Sequence, residues 1–157
     1  MQDAFGGIVN IMLIALFLVI AEGILGLAVN YTKAFKMKNL VISSFEKYET
    51  AGCFNNSGSC YKAIEEGAKR IGYAPTTELN CDGMSTEDVV YTEVEGMYCY
   101  AKLKSSNSDV HVNKKASYRV VTGVDINIPI VKKILSLNIF KVKGDTRLIN
   151  IEVNDRR

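Results

Sequence analysis

The chain has 157 residues, a net charge of +2 and four cysteines, and 48% of its residues are hydrophobic. This length leaves room for one folded domain beside a hydrophobic segment, and an independent second core is not expected. Acidic and basic residues are interspersed, with no basic block beyond three lysines after the first apolar run, so the charge pattern excludes the usual electrostatic footprint of nucleic-acid binding.

An apolar run near the start of the chain is the first predicted element. Residues 8–29 are apolar apart from Asn10 and Glu22, and as a helix rising about 1.5 Å per residue they reach about 33 Å, enough to cross a bilayer core. A cleaved secretory signal is the alternative. It is disfavoured because the preceding residues hold Asp3 and no lysine or arginine, and because no small-x-small cleavage site follows.

The helical pattern continues beyond the apolar run. No proline or glycine occurs between residues 30 and 50, and apolar residues recur there at spacings of three and four on one face. We predict a single helix from about Ala4 to Tyr48 that ends before Ala51 and Gly52. Its apolar stripe consists of Ala34, Met37, Val41, Phe45 and Tyr48. We expect residues 1–30 to lie in a membrane or filament core and residues 31–157 to form an extracellular domain.

The four cysteines follow this helix and are predicted to form two disulfides in an oxidising compartment. Zinc binding or free thiols are the alternatives, although no Cys-x-x-Cys pair is present and the only histidine is His111. We favour pairing Cys53 with Cys60 and Cys81 with Cys99; the spacing alone permits all three connectivities.

Two signals for membrane orientation disagree. Lys33, Lys36 and Lys38 follow the apolar run, and the positive-inside rule would place them in the cytoplasm. The cysteines place the same part of the chain outside. Removal of a basic leader, or a topology set by a secretion machine, would reconcile the two, and we expect the cysteine-containing part to be extracellular.

A short second helix and several strands are predicted next. "YKAIEEGAKRIGYAP" places Ala63, Ile64, Ala68 and Ile71 on one side of a helix that stops at Pro75. "GMYCYAKLK" and "SYRVVTGVDINIP" then alternate with a period of two, as half-buried antiparallel strands do. In the first strand the apolar set is Met97, Cys99, Ala101 and Leu103, and in the second it is Tyr118, Val120, Thr122, Val124, Ile126 and Ile128.

The connections and the last segment are predicted from turn residues. "KSSNSD" is a hairpin turn, Pro129 closes the second strand, and "IVKKILSLN" is a short helical turn. "IFKVKGDTRLINIEV" is a bent hairpin or a bulged strand that pivots at Gly144 and Asp145. The predicted fold class is α+β, in which a long N-terminal helix covers an antiparallel sheet of three or four strands with its second half.

This layout resembles a type IV pilin or pseudopilin. "NYTKAFKMKNLVISSFEKYE" and "INIPIVKKILSLNIFKVKGDTR" are similar to segments of TadE-like minor pilins of Gram-positive bacteria. The resemblance implies leader cleavage after a glycine, with Gly6 and Gly7 as the possible positions, and a glutamate at mature position five. Cleavage after Gly6 or Gly7 would put Ile11 or Met12 at that position, and a mature chain that starts at Met1 would put Phe5 there. None of these residues is acidic.

Polar and small residues in the apolar run are candidate assembly residues. A carboxylate in hydrocarbon costs about 2.5 to 3.5 kcal/mol, so Glu22 either faces a neighbouring helix or lies near the interface. In an assembly it would pair with another subunit's N-terminal amine or Lys33. Gly23 and Gly26 would permit close helix approach or a local melt in the helix. Asn10 either hydrogen-bonds across a helix interface or lies at the lipid boundary.

No catalytic set is predicted. His111 lacks an assigned carboxylate or nucleophile, while Glu65, Glu66 and Asp82 have basic neighbours, as is usual on solvated surfaces. "GDTR" lacks the context of a phosphate loop, and the sequons at Asn30 and Asn55 matter only if the host glycosylates. We expect no enzymatic activity and no cofactor.

Two functional hypotheses follow. The first is a structural subunit of a type IV or Tad-like pilus or secretion filament, a minor pilin or pseudopilin held in the membrane before assembly. Its expected partners are the lipid bilayer, other pilin subunits and a pilus assembly platform, with no nucleic acid. The second is a permanently anchored single-pass protein whose extracellular domain binds a ligand.

Overall fold

The computed structural model describes residues 2–74, 79, 81, 90–93, 97–103, 114–125 and 139–151. These ranges contain two helices and six strands. The helices are α1 (Gln2–Tyr48) and α2 (Ser59–Ile71), and the strands are β1 (Val90–Glu93), β2 (Tyr98–Lys102), β3 (Lys114–Ala116), β4 (Tyr118–Asp125), β5 (Ile139–Asp145) and β6 (Ile149–Ile151).

Helix α1 is continuous over 47 residues and confirms the predicted single helix. It passes through Asn30 without a break and ends at Tyr48, where Glu49 and Thr50 adopt positive φ values of 47° and 64°. Positive φ takes the backbone out of the right-handed helical region, which is uncommon for residues other than glycine. The amide of Ala51 then donates to the carbonyl of Tyr48, and this bond closes the helix end.

Helix α2 is close to its predicted position but ends earlier. It stops at Ile71, and Gly72 caps it in the left-handed conformation, with its amide bonded to the last carbonyls of the helix. The prediction that Pro75 ends this helix is therefore wrong. A glycine with φ of 65° ends the helix because it reaches the left-handed region without a steric cost.

Strands β1, β2, β4 and β5 form a four-stranded antiparallel sheet in that order within the described ranges, and β3 pairs with β6 in a separate antiparallel ribbon. Neither β1 nor β3 was expected. The segment from β5 to β6 does bend after Asp145, but its two halves do not pair with each other. The chain leaves the larger sheet at residues 146–148 and joins the ribbon, which is a correction to the predicted hairpin.

The core lies between the second half of α1 and the larger sheet. Ala34, Met37, Val41 and Phe45 are fully buried there, as their spacing predicted. The ring of Phe45 makes edge-to-face contacts with the rings of Phe54, Tyr98, Tyr100 and Tyr118 at centroid distances of 5.6 to 6.5 Å. The predicted fold class, a long helix laid by its second half on an antiparallel sheet, is confirmed.

The expected faces of β2 are reversed. Tyr98 and Tyr100, assigned to the polar side by alternation, lie in the main core, while Cys99 lies on the other face with Leu79 and Val121. In β4 the expected face is correct, because Tyr118, Val120 and Val124 belong to the main core and Thr122 is fully buried.

Several predictions fall outside the described residues. They concern the turn at residues 104–109, the strand end at residues 126–129, the helical turn at residues 130–138, and Asp82 and His111.

Candidate functional site: the exposed apolar half of the long helix

The first half of α1 exposes apolar side chains on all sides. We call residues 6–29 the apolar half-helix. Fourteen of its large hydrophobic side chains are 50 to 71% exposed. They are Ile8, Val9, Ile11, Met12, Leu13, Ile14, Leu16, Phe17, Leu18, Val19, Ile20, Ile24, Leu25 and Val29. A helix that is apolar all round belongs inside a protein, in a helical assembly or in a membrane.

The energetic drive to cover this surface is large. Burying one such side chain contributes about 1.5 to 3 kcal/mol, so covering fourteen that are already partly shielded is worth on the order of 20 kcal/mol. Helix residues Gly6–Tyr48 are long and apolar enough to cross a membrane by length and composition, and none of the most apolar window is buried inside the folded chain.

The four predicted assembly residues do not share one face. At about 100° per residue, Glu22, Gly23 and Gly26 fall within one arc of about 100°, whereas Asn10 is about 120° from Glu22. Asn10, Glu22 and Gly26 are exposed, and Gly23 is half-buried. A methyl group added at Gly26 would meet nothing within 4 Å. A neighbouring helix could therefore approach Glu22, Gly23 and Gly26 together, and Asn10 faces a different direction.

Glu22 and Lys33 point to the same side of α1 but are far apart. Eleven residues separate them, which is about 16 Å along the axis and close to three full turns. They cannot form an ion pair within one chain. Lys33 lies on the α2 side of the helix, with its ammonium 3.8 Å from the position of a Cβ at Gly72.

Gly6 and Gly7, the predicted processing positions, are exposed in the first turns of α1, and added Cβ atoms there would meet nothing within 4 Å. Of the two sequons, Asn30 is half-buried on α1, while Asn55 is exposed in the loop after it. The side-chain oxygen of Asn55 accepts bonds from the amide and hydroxyl of Ser57 at 3.2 and 3.1 Å.

Three buried hydrogen bonds fix the second half of α1 and the α2 end to the sheet. The hydroxyl of Thr122 on β4 donates to the carbonyl of Ala34 on α1 at 2.9 Å. The hydroxyl of Tyr73 donates to the carbonyl of Gly123 at 2.8 Å and accepts from the Gly123 amide at 3.0 Å. Because α1 is unbroken, these contacts also set the direction in which the apolar half-helix leaves the domain.

Two glycines let neighbouring elements approach α1 closely on opposite sides. A Cβ at Gly67 of α2 would clash with the side chain of Leu40, and a Cβ at Gly144 of β5 would come within 2.8 Å of Lys38 and 2.9 Å of Ile42. Sequence reasoning missed the role of Gly67, named Gly144 only as a pivot, and placed Thr122 on the buried face without its bond to Ala34. The only available signal was a glycine interrupting an otherwise regular helix or strand pattern.

The structure pairs Cys53 with Cys60 and Cys81 with Cys99, as favoured from the sequence. The first bridge closes the loop between α1 and α2, and the second joins residue 81 to β2. With all four thiols used, the zinc and free-thiol alternatives are excluded. Among the described residues, no three histidine, cysteine or acidic side chains converge as a metal site would require.

Several of the described charged groups form surface ion pairs. Arg119 on β4 and Asp145 on β5 form a bidentate pair with distances of 2.7 and 2.8 Å. The hydrogen bonds from Arg119 are the main cause that lowers the pKa of Asp145, and they raise the pKa of Arg119 in turn. Glu46 on α1 accepts from the amide of Arg147 at 2.9 Å.

The acidic pair on α2 has the predicted solvated character. Glu65 pairs with Lys69 at 2.7 Å and Glu66 with Arg70 at 3.7 Å, one turn along the helix in each case. Exposed pairs of this kind contribute little to stability and are typical of a solvated helix face.

Comparison with models of protein families, with curated proteins and with solved structures finds no match for this chain.

Proposed function

We propose that this protein is a structural subunit of a filament of the type IV pilus or Tad pilus kind, acting as a minor pilin or pseudopilin. Its apolar half-helix would hold it in the membrane before assembly, with the disulfide-bonded domain on the outer side. An assembly platform would then move it into a filament, where other pilin subunits replace lipid around the half-helix.

One observation carries this proposal: a single unbroken helix is exposed and apolar along residues 6–29 and buried against a sheet along its second half. Such a rod can pass from lipid to a bundle of like helices without exposing its apolar surface to water. An ordinary membrane anchor has no need for a rigid connection to its domain, whereas a filament subunit needs one to set its position relative to its neighbours.

Glu22 supplies the proposed contact between copies. Since Lys33 lies about 16 Å further along the same side of the helix, an ion pair between the two requires a neighbouring copy displaced axially by a comparable distance. Each copy then offers one acidic and one basic partner, so the contact is head-to-tail and propagates along a filament.

The test is fractionation of sheared host cells, with an antibody against the sheet domain. We expect the protein both in the membrane and in the sheared filament fraction. Recovery in the membrane pellet alone would contradict the filament proposal and favour the permanently anchored ligand-binding protein.

Variants sharpen this test. We expect Glu22→Gln to reduce the sheared fraction by about tenfold, since an interhelical polar contact is worth roughly 1 to 2 kcal/mol. Glu66→Gln, which removes an exposed charge on α2, is the matched control and should assemble normally. Glu22→Lys and Lys33→Glu should each fail to assemble, and the double variant should assemble again. Normal assembly of Glu22→Gln would rule out the proposed pairing.

A further inference from the structure

One end of the folded domain faces the apolar half-helix, and the contacts of α1 identify it. Thr122 bonds to α1 at Ala34, and Gly72 lies beside Lys33. At the opposite end, Arg147 bonds to Glu46. The end formed around Gly72 and Gly123 is therefore the one that a membrane surrounding residues 6–29 would meet.

This near end carries exposed aromatic side chains. Tyr31 and Phe35, four residues apart on α1, are 52% and 41% exposed, and Phe140 on β5 is 43% exposed. Phe140 is the register partner of Val124, which belongs to the main core. Directly opposed residues share a face of an antiparallel pair, so Phe140 lies on the face of the sheet that α1 covers.

Tyr31 and Phe35 follow the same side of α1 as Lys38 and Ile42, at helical spacings of four, three and four. Lys38 and Ile42 lie against Gly144 of β5. The exposed aromatic pair thus continues the β5 side of α1 toward the apolar half-helix. Aromatic side chains with an apolar body are favoured at the level of lipid headgroups.

Lysines occupy the same level. Measured along the axis from Val29, Lys33 lies about 6 Å and Lys36 about 10 Å above the apolar half-helix, and the headgroup layer of one leaflet is roughly 5 to 8 Å thick. Helical side chains lean toward the helix N-terminus, which here is toward the membrane. The ammonium of Lys38 illustrates this direction, because it lies 4.1 Å from the centre of the Phe35 ring, three residues nearer the N-terminus.

We infer that this membrane-proximal rim, formed by Tyr31, Lys33, Phe35, Lys36 and Phe140, binds anionic phospholipid headgroups. The rings insert among the headgroups, and the two lysines select negatively charged lipids around the helix. This inference rests on the membrane-anchored stage of the proposed function, and it assigns Lys33 and Lys36 a role that does not depend on the positive-inside rule.

The experiment uses the full chain in lipid nanodiscs. Because the protein has no tryptophan, Phe35→Trp introduces a single fluorophore at an exposed position of the rim. Its emission is measured with phosphatidylcholine or phosphatidylglycerol carrying a spin label on the headgroup, at equal mole fraction. A lysine near an anionic surface gives roughly a fivefold preference, so with two lysines in the rim we expect phosphatidylglycerol to quench at least about five times more strongly.

Charge variants made in the Phe35→Trp background provide the control. Lys33→Gln with Lys36→Gln should bring the quenching ratio close to one. Lys47→Gln with Lys115→Gln removes the same charge from exposed positions at the far end and should leave the ratio unchanged. About 1 M salt, which shortens the Debye length to about 3 Å, should also remove the preference.

Equal quenching by both labels, with the lysines intact at low salt, would overturn the inference. Quenching by neither label would also overturn the inference. In that case, an emission change that follows protein density in the nanodisc would show that the rim contacts a second copy of the protein. Resistance to alkaline carbonate extraction checks membrane insertion separately. Extraction of the protein would mean that the membrane-anchored stage has failed, whereas insertion without a lipid preference would mean that only the rim assignment has failed.

Discussion

The most decisive test of the fold is the replacement of Phe45, which joins α1 to the sheet. Its side chain is fully buried and contacts four aromatic rings. Replacing a buried phenylalanine by alanine costs about 3 to 5 kcal/mol, and each aromatic pair adds roughly 0.5 to 1.5 kcal/mol, with overlap between the two quantities. We therefore expect Phe45→Ala to lower the free energy of unfolding by about 4 to 5 kcal/mol.

The assay is urea unfolding of the oxidised full chain in a mild detergent, followed by the near-ultraviolet circular dichroism of its tyrosines. With a denaturant slope of about 1.5 kcal/mol per molar, the urea midpoint should fall by about 3 M. The control is Phe35→Ala on the same helix. That side chain is 41% exposed, so its loss should cost less than about 1 kcal/mol. Equal midpoints for the two variants would refute the conclusion that α1 forms one side of the domain core.

Two further predictions concern polar contacts. Thr122→Val should lower the free energy of unfolding by about 1 kcal/mol, because it removes the buried bond to Ala34. The control is Thr32→Val, which removes an exposed bond to a helix carbonyl and should cost less in the same urea assay. A larger loss for Thr32→Val than for Thr122→Val would contradict this prediction. Asp145 has a lowered pKa in the folded state, caused mainly by its hydrogen bonds with Arg119, so the pair stabilises the fold above the unfolded pKa of about 4 and this contribution is lost as the pH falls through the folded pKa. Both side chains are more than a third exposed, so the free energy of unfolding should fall by only about 0.5 kcal/mol between pH 6 and pH 3 on account of this pair. The measurement is the pH dependence of the unfolding free energy of the parent minus that of Asp145→Asn. A difference of zero or of opposite sign would show that the pair is not formed.

Helix α1 carries both the exposed apolar half-helix and the residues that are buried against the sheet. The contacts that bury Ala34, Met37, Val41 and Phe45 also hold the helix from which the apolar half extends. Mutations in the second half of α1 are therefore expected to affect both folding of the domain and presentation of the apolar half-helix. Mutations at the exposed positions of the apolar half-helix should leave the domain folded, because none of the most apolar window is buried in it, whereas Leu27 packs against the domain core.

Local chemistry made several features predictable. The absence of proline and glycine between residues 30 and 50, combined with one apolar stripe, was sufficient to predict an unbroken helix and its buried face. The short separation between Cys53 and Cys60 favoured their pairing, since a short loop keeps two thiols near each other in any conformation. These properties depend on neighbours along the chain, so no partner element had to be known.

For the candidate assembly residues, the sequence identified the positions but not how they are arranged around the helix. Glu22, Gly23 and Gly26 were recognisable because a carboxylate and two glycines are unusual in an apolar run. Their common arc, and the separation of Asn10 from it, follow once the helix is known to be continuous. The positions where α1 is approached most closely, Gly67 and Gly144, could not be found in this way, because each depends on an element distant in the chain.

The sequence alone therefore determined the long helix, its apolar half, the stripe that faces the sheet and the α+β class. Tertiary structure decided which face of β2 packs toward α1, because alternation separates two faces but does not say which one a helix covers, and tyrosine is compatible with either. It also decided that β6 leaves the larger sheet to pair with β3, since strand pairing depends on which distant edge is available. Periodicity is a local property of a chain, whereas pairing and coverage are properties of elements brought together by folding.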